Sequence, residues 1–171
     1  MTLAHRDEVE LAELLGIDID SAWRLAMALE LHQRLNQWSV PHRPILNDPA
    51  VVIDVMAPLR TLPEEHFWCL PITRTRRLIG SPIEISMGDV DGCDAGPRAF
   101  YRAALLRGAV KAIAVHNHPS CEPTPSAEDR FATSRLVTAG RALQITLVDH
   151  IIITPDRSLW RSLQRDDPRL F

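Results

Sequence analysis

The sequence predicts an α/β fold, a mixed β-sheet flanked by helices, with a short helical segment ahead of it. Three observations carry this expectation. Apolar runs at residues 65–72, 109–115 and 145–154 have strand length and read as buried strands. Two segments between the later runs carry helix punctuation: Pro97 opens one that Gly108 closes, and Ser126 opens the other. Strands alternating with helices bury their apolar faces as a sheet covered by helices.

Residues 7–37 are expected to be helical, with a break near Leu15-Gly16-Ile17-Asp18. Ser21 is expected to cap the second part, whose apolar positions Ala22, Leu25, Ala28 or Leu29, and Leu35 keep helical spacing. Val40-Pro41-His42-Arg43-Pro44 reads as a linker, so residues 1–40 form the helical segment and 45–165 the main domain. Asn47-Asp48-Pro49 starts a helix that runs through Val55-Met56. Residues 65–72 and 76–80 read as two strands of a hairpin around the polar turn Thr73-Arg74-Thr75. Residues 92–96 form a loop, and the helix from Pro97 runs through Arg107. The strand at 109–115 enters a loop enforced by Pro119, Pro123 and Pro125. Ser126 then caps a helix over 127–143, with Ala132, Leu136, Ala139 and Leu143 on one face. Residues 145–154 make the last buried strand. No internal repeat or low-complexity tract is present.

A chain of 171 residues with 46% hydrophobic content can bury a sizeable core, and one main domain is expected. The net charge of −3 supplies no global basic field to favour nucleic acid. No apolar run approaches the roughly 20 residues that cross a bilayer. Residues 1–8 show no apolar signal segment, so a cytoplasmic protein is expected. Three cysteines, Cys69, Cys93 and Cys121, show no CxxC pairing, against a disulfide framework or a four-sulfur zinc site. Cys69 follows Phe67-Trp68 in an apolar run and is expected to pack in the core.

The chemistry concentrates in His116-Asn117-His118-Pro119-Ser120 and in Ser126-Ala127-Glu128-Asp129. Residues two apart on an extended chain point to the same side, so His116 and His118 share a face and Asn117 takes the other. Asp129 lies in the first turn of the helix that Ser126 caps. Two imidazoles and one carboxylate are a zinc set, and three protein ligands with an open position are the pattern of catalytic sites. Asp129 would also be at home in a capped helix start with no metal nearby.

The spacing His116-x-His118, ten residues, then Asp129, with Ser126 three before it, resembles the JAMM motif of MPN/JAB metalloproteins. Further residues narrow the resemblance to the RadC-like branch: Glu65-His66-Phe67-Trp68, Arg77-Leu78-Ile79, Gly88, Arg98, Pro123-Thr124-Pro125 and Val148-Asp149-His150-Ile151-Ile152-Ile153. It covers roughly residues 45–160. The resemblance implies an MPN/JAB-like fold, a Zn2+ cofactor held by His116, His118 and Asp129, and Glu65 as general acid/base. Glu64 is the alternative if the match slips by one residue. Ser126 either caps its helix or donates to the oxyanion formed when water attacks a carbonyl, and both roles are compatible. Asp149 is the fallback third ligand if Asp129 only caps. His150 either orients a ligand by hydrogen bonding or is a satisfied core residue. Gly88 reads as a backbone requirement, and Arg98 receives no role.

Cys121 stands where RadC-like sequences usually have Gly. A positive φ there costs Cys about 1 kcal/mol or somewhat more, and a tolerated loop substitution is expected rather than a functional thiol. RadC-like chains often carry a helix-hairpin-helix, of which residues 15–22 are a remnant lacking the second Gly and carrying Asp18 and Asp20. A helical cap is therefore expected there in preference to a DNA clamp. Taken together these features predict a zinc-dependent metallohydrolase acting on a peptide or protein substrate. The alternatives are a non-hydrolytic DNA- or protein-binding module and a zinc nuclease, which the charge around the loop does not favour.

Overall fold

Every residue of strand β1 (His66–Ile72) is buried, as an unbroken apolar run requires when both faces of a sheet are covered. This computed structural model describes residues 8–38, 44–87 and 96–171. The linker at 40–43, Gly88, Cys93 and most of the 92–96 loop lie outside the described residues. The chain divides into two units, Met1–His42 and Arg43–Phe171.

In the first unit, α1 (Glu8–Leu15) and α2 (Ile19–Trp38) are separated at Gly16, whose φ of 62° suits glycine. Asp18, not Ser21, caps α2: its carboxylate accepts from Ser21 N at 2.9 Å and from Ser21 Oγ at 2.7 Å. Asp18 stands one residue before the helix, where an acceptor reaches the free N–H groups, whereas Ser21 already lies in the first turn. Leu11 and Ala22 are buried, and Trp23 and Met27 are exposed.

The second unit is an α/β layer structure around one mixed sheet of five strands, ordered β2-β1-β3-β4-β5. Its strands after β1 are β2 (Ile83–Met87), β3 (Lys111–Asn117), β4 (Thr146–Ile153) and β5 (Trp160–Ser162). β1 runs antiparallel to β2 and β3, β3 and β4 are parallel, and β5 is antiparallel to β4. The parallel step requires a crossover, which α5 (Ala127–Leu143) supplies.

One sheet face packs Trp68, Leu70, Ile113, Val115, Ile151 and Ile153 against Leu46 and the buried residues of α3 (Pro49–Val55). Asp48 caps α3 by accepting from Ala50 N at 2.8 Å. The other face packs Phe67, Cys69, Ala112, Ala114 and Leu147 against α4 (Pro97–Leu106) and α5. There Tyr101 donates to the Leu136 carbonyl at 2.8 Å. Gly140 allows this approach, because a Cβ would lie 2.3 Å from Tyr101 Oη and 2.5 Å from the Ile145 carbonyl.

Further expectations need correction. Residues 76–80 are not a strand: Arg76 has φ 61°, and the segment makes only the isolated bridges Ile45↔Arg77 and Ile72↔Leu78. The partner of β1 is β2, whose alternating Ile83-Glu84-Ile85-Ser86-Met87 carries the period of a strand covered on one face. The buried face of α5 is Asp129, Thr133, Leu136, Val137 and Gly140, and Leu143 is exposed. That rotation brings Asp129 and Thr133 inward and Gly140 against Tyr101. Beyond the last expected strand lie β5, α6 (Leu163–Asp166) and a 3-10 turn at Pro168–Leu170.

Candidate metal centre

β3 ends in the two histidines, and α5 begins with the aspartate. The short loop after β3 starts the helix of the parallel crossover at that same end of the sheet, which brings the three side chains together. Each of His116, His118 and Asp129 offers a ligand atom, and these atoms lie within 4.8 Å of one another. His116 Nε2 is 2.9 Å from His118 Nε2 and 3.2 Å from Asp129 Oδ1. His118 Nε2 is 3.8 Å from Asp129 Oδ2. Side-chain exposure is 3% for His116 and 11% for the other two, so an ion here would meet little water beyond its open position.

Each donor is held from behind. His118 Nδ1 donates to the Glu122 carbonyl at 2.6 Å, which leaves the Nε2 lone pair facing the cluster. The turn that carries Glu122 passes through Cys121 at φ 62°, so the left-handed geometry that favours glycine is present. His116 Nδ1 lies 2.8 Å from His150 Nε2, and His150 Nδ1 lies 2.6 Å from Thr133 Oγ1. Burial and the neighbouring His116 push His150 well below the ordinary histidine range.

Asp129 belongs to a capping box. Its Oδ2 accepts from Ser126 N at 2.8 Å and Ser126 Oγ at 2.7 Å, while Ser126 Oγ accepts from Asp129 N at 3.0 Å. Burial alone would raise the Asp129 carboxyl, but His116 and the Ser126 hydrogen bonds hold it well below the usual carboxylate range. Capping and convergence on the histidines therefore occur in the same side chain. The donor set fits a divalent cation of borderline softness: two nitrogens and a carboxylate oxygen.

The remaining expected residues fall in different places. Glu65 is exposed, stands one residue before β1, and makes no hydrogen bond or ion pair with the described residues. Asp149 is no fallback ligand. It faces away from His150 along β4, and its carboxylate accepts from Ser162 Oγ at 2.7 Å, His150 N at 2.7 Å and Gln164 N at 3.2 Å. Burial raises its carboxyl from the ordinary value. Arg98 is exposed in the first turn of α4.

Two residues escaped the sequence reading. Thr133, one helical turn after Asp129, contacts His150 from the far side of the cluster. Asn117, on the face away from the ligands, donates to the carbonyls of Glu64 at 2.9 Å and Leu62 at 3.3 Å and accepts from His66 N at 2.8 Å. It thus holds the main chain on both sides of Glu65.

A mixed sheet whose one parallel crossover gathers two histidines and an aspartate defines a candidate metalloprotein of the JAB type. The chain belongs to the RadC-like JAB domain family, which matches residues 46–167. A UPF0758 protein of Desulforamulus reducens is 39% identical over 145 residues, covering 84% of this chain and 63% of that protein. A UPF0758 protein of Caldanaerobacter subterraneus is 38% identical over 151 residues, covering 88% of this chain and 64% of the relative. One from Listeria monocytogenes is 35% identical over 154 residues, covering 90% and 67%. The chain spans about two thirds of the length of these relatives. Among the described residues, no helix is long and apolar enough to cross a membrane.

Proposed function

We propose that this chain is a zinc-dependent hydrolase of peptide or isopeptide bonds, with His116, His118 and Asp129 as the ligands. The observation that carries the reading is the convergence of these three donors within 4.8 Å, at the end of the sheet where Glu65 also lies. Zinc in such a set supplies Lewis acidity, bringing the ionisation of water to about pH 7.

Glu65 would accept the proton of the attacking water and return it to the leaving amine. Strand alternation favours it over Glu64. Phe67 lies against His116 and His150, with ring centroids 6.4 and 5.5 Å away, and the same alternation carried back two residues would put Glu65 on that side. His66, whose ring stacks on Trp68, lies across the sheet from the cluster. The exposed Glu65 carboxylate, with no competing partner among the described residues, is free to handle a proton.

The Ser126 hydroxyl donates to Asp129 Oδ2, so donation to an oxyanion requires it to leave that carboxylate. Ser126→Ala separates the two roles. Loss of an oxyanion donor lowers turnover by about 10²–10³, whereas loss of a cap costs about 1 kcal/mol of stability. The substrate is a peptide or protein of unassigned sequence, and the cytoplasm is the proposed compartment.

The experiment is metal analysis of native protein with cleavage of a broad peptide panel. Stoichiometric zinc lost in His118→Ala, and cleavage lost in Glu65→Gln with zinc retained, are expected. Protein that binds no zinc and cleaves no peptide, with Glu65→Gln indistinguishable from wild type, would sink the proposal. Salt-sensitive DNA binding in that case would favour the non-hydrolytic alternative.

A further inference from the structure

We infer that Thr133 and His150 form a directed hydrogen-bond relay that fixes the proton of His116 on Nδ1 and presents its Nε2 lone pair to the cation. The inference rests on the metal-site reading above and extends it to two positioning residues outside the ligand set.

The direction follows from which groups can only accept. The Asp129 carbonyl carries no hydrogen, so the Thr133 hydroxyl, 2.6 Å away, donates to it. With that proton used, Thr133 Oγ1 offers lone pairs alone to His150 Nδ1, and Nδ1 must carry a hydrogen. His150 is buried, and no carboxylate hydrogen-bonds to its ring among the described residues, so its imidazole is neutral and Nε2 is bare. His116 Nδ1, 2.8 Å from that bare nitrogen, is therefore the donor. Its Nε2 keeps a lone pair. The Glu122 carbonyl imposes the same tautomer on His118 in a single step.

Two consequences set this arrangement apart from ordinary core satisfaction. The two Nε2 atoms meet at 2.9 Å and Asp129 Oδ1 lies 3.2 Å from that of His116, contacts that repel unless a proton or a cation sits among them. The relay also begins on the main chain of one ligand, Asp129, and ends on the ring of another, His116. It therefore couples the start of α5 to the end of β3. A threonine hydroxyl that bonds one turn back along its helix is common. Here its remaining lone pair decides which nitrogen of a histidine two residues away in the relay is protonated.

The test uses the full chain and zinc alone as the probe. Affinity is read by competition with a chromophoric chelator, and imidazole tautomers by long-range proton–nitrogen-15 correlation on histidine-labelled protein. Wild type is expected to show His116, His118 and His150 with the proton on Nδ1. Thr133→Val should weaken zinc binding by roughly 10–100-fold and move the His150 proton to Nε2. Thr133→Ser, which keeps the hydroxyl, should restore both readouts. A wild-type His116 whose Nδ1 carries no proton, or a folded Thr133→Val with unchanged affinity, overturns the relay. If Thr133→Val fails to fold, the wild-type tautomers and Thr133→Ser still decide. A wild type that takes up no zinc overturns the metal reading, while the tautomers of the zinc-free protein still judge the relay.

Discussion

Replacing Asn117 with Ala tests whether the two faces of β3 do separate jobs. Its side chain is fully buried and satisfies three main-chain groups on either side of Glu65. Truncation orphans the buried His66 N–H, at about 1–3 kcal/mol, and removes two bonds to carbonyls that water can partly replace, at about 0.5–1.5 kcal/mol each. The loss is therefore about 2–6 kcal/mol. For a domain of this size each kcal/mol moves the melting point by about 2–4 °C, so a fall of at least about 4 °C is expected. Asn117→Asp should be no better, because it keeps the acceptor for His66 N but sets a buried carboxylate against two carbonyls. Calorimetry reads the stability, and metal analysis reads the other face. Zinc content should stay at the wild-type level, since the ligands project from the opposite side, while peptide cleavage falls as the Glu65 segment loosens. An Asn117→Ala protein that melts within a degree of wild type, or that folds but loses its metal, would refute the reasoning.

Other perturbations are simpler. Cys121→Gly should stabilise the protein by about 0.5–1 kcal/mol. Removing the Cβ while the turn keeps its left-handed backbone relieves about 1–2 kcal/mol, and the looser unfolded glycine chain returns about 0.4–1 kcal/mol of it. Cys121→Ala keeps the Cβ and should bring no gain, and equal melting points for the two variants would exclude backbone strain as the cause. Gly140→Ala should destabilise by about 1–3 kcal/mol, because its Cβ meets the Tyr101 hydroxyl and the Ile145 carbonyl; a wild-type denaturation midpoint would contradict this. Burial pushes the Cys69 thiol up to about 12, whereas Cys121 is exposed. In a Cys93→Ser background, a thiol reagent at pH 8 should label Cys121 in the native protein and reach Cys69 only in denaturant. Rapid native labelling of Cys69 would show the core to be open.

The metal loop was legible because its signals are local: an alternation of two, prolines that force a turn, and a cap followed three residues later by Asp129. The three long apolar runs and the Pro97 and Ser126 helix starts were legible for the same reason. The Arg76 to Gly80 segment misled because Leu78 and Ile79 supply apolar character, while the positive φ of Arg76 breaks the extended run that composition alone permits. The alternation in Ile83–Met87 carries a local signal for the strand that pairs with β1. The buried face of α5 departs from its apolar spacing because Asp129 and Thr133 turn inward for polar reasons. Asn117 shows where sequence stops. Its facing away from the histidines follows from strand geometry, but its partners lie 51 to 55 residues earlier and depend on antiparallel pairing that no local pattern encodes.

All three candidate ligands come from a stretch of fourteen positions, 116–129, spanning one strand end, one turn and one helix start. Glu65 stands just ahead of a separate strand, β1, and only sheet assembly brings it to the same end. On the proposed function, cation capture and proton handling are written in different parts of the gene. A descendant could lose the second through one change at Glu65 and retain the first intact, becoming a sensor or scaffold without any alteration to the clasp.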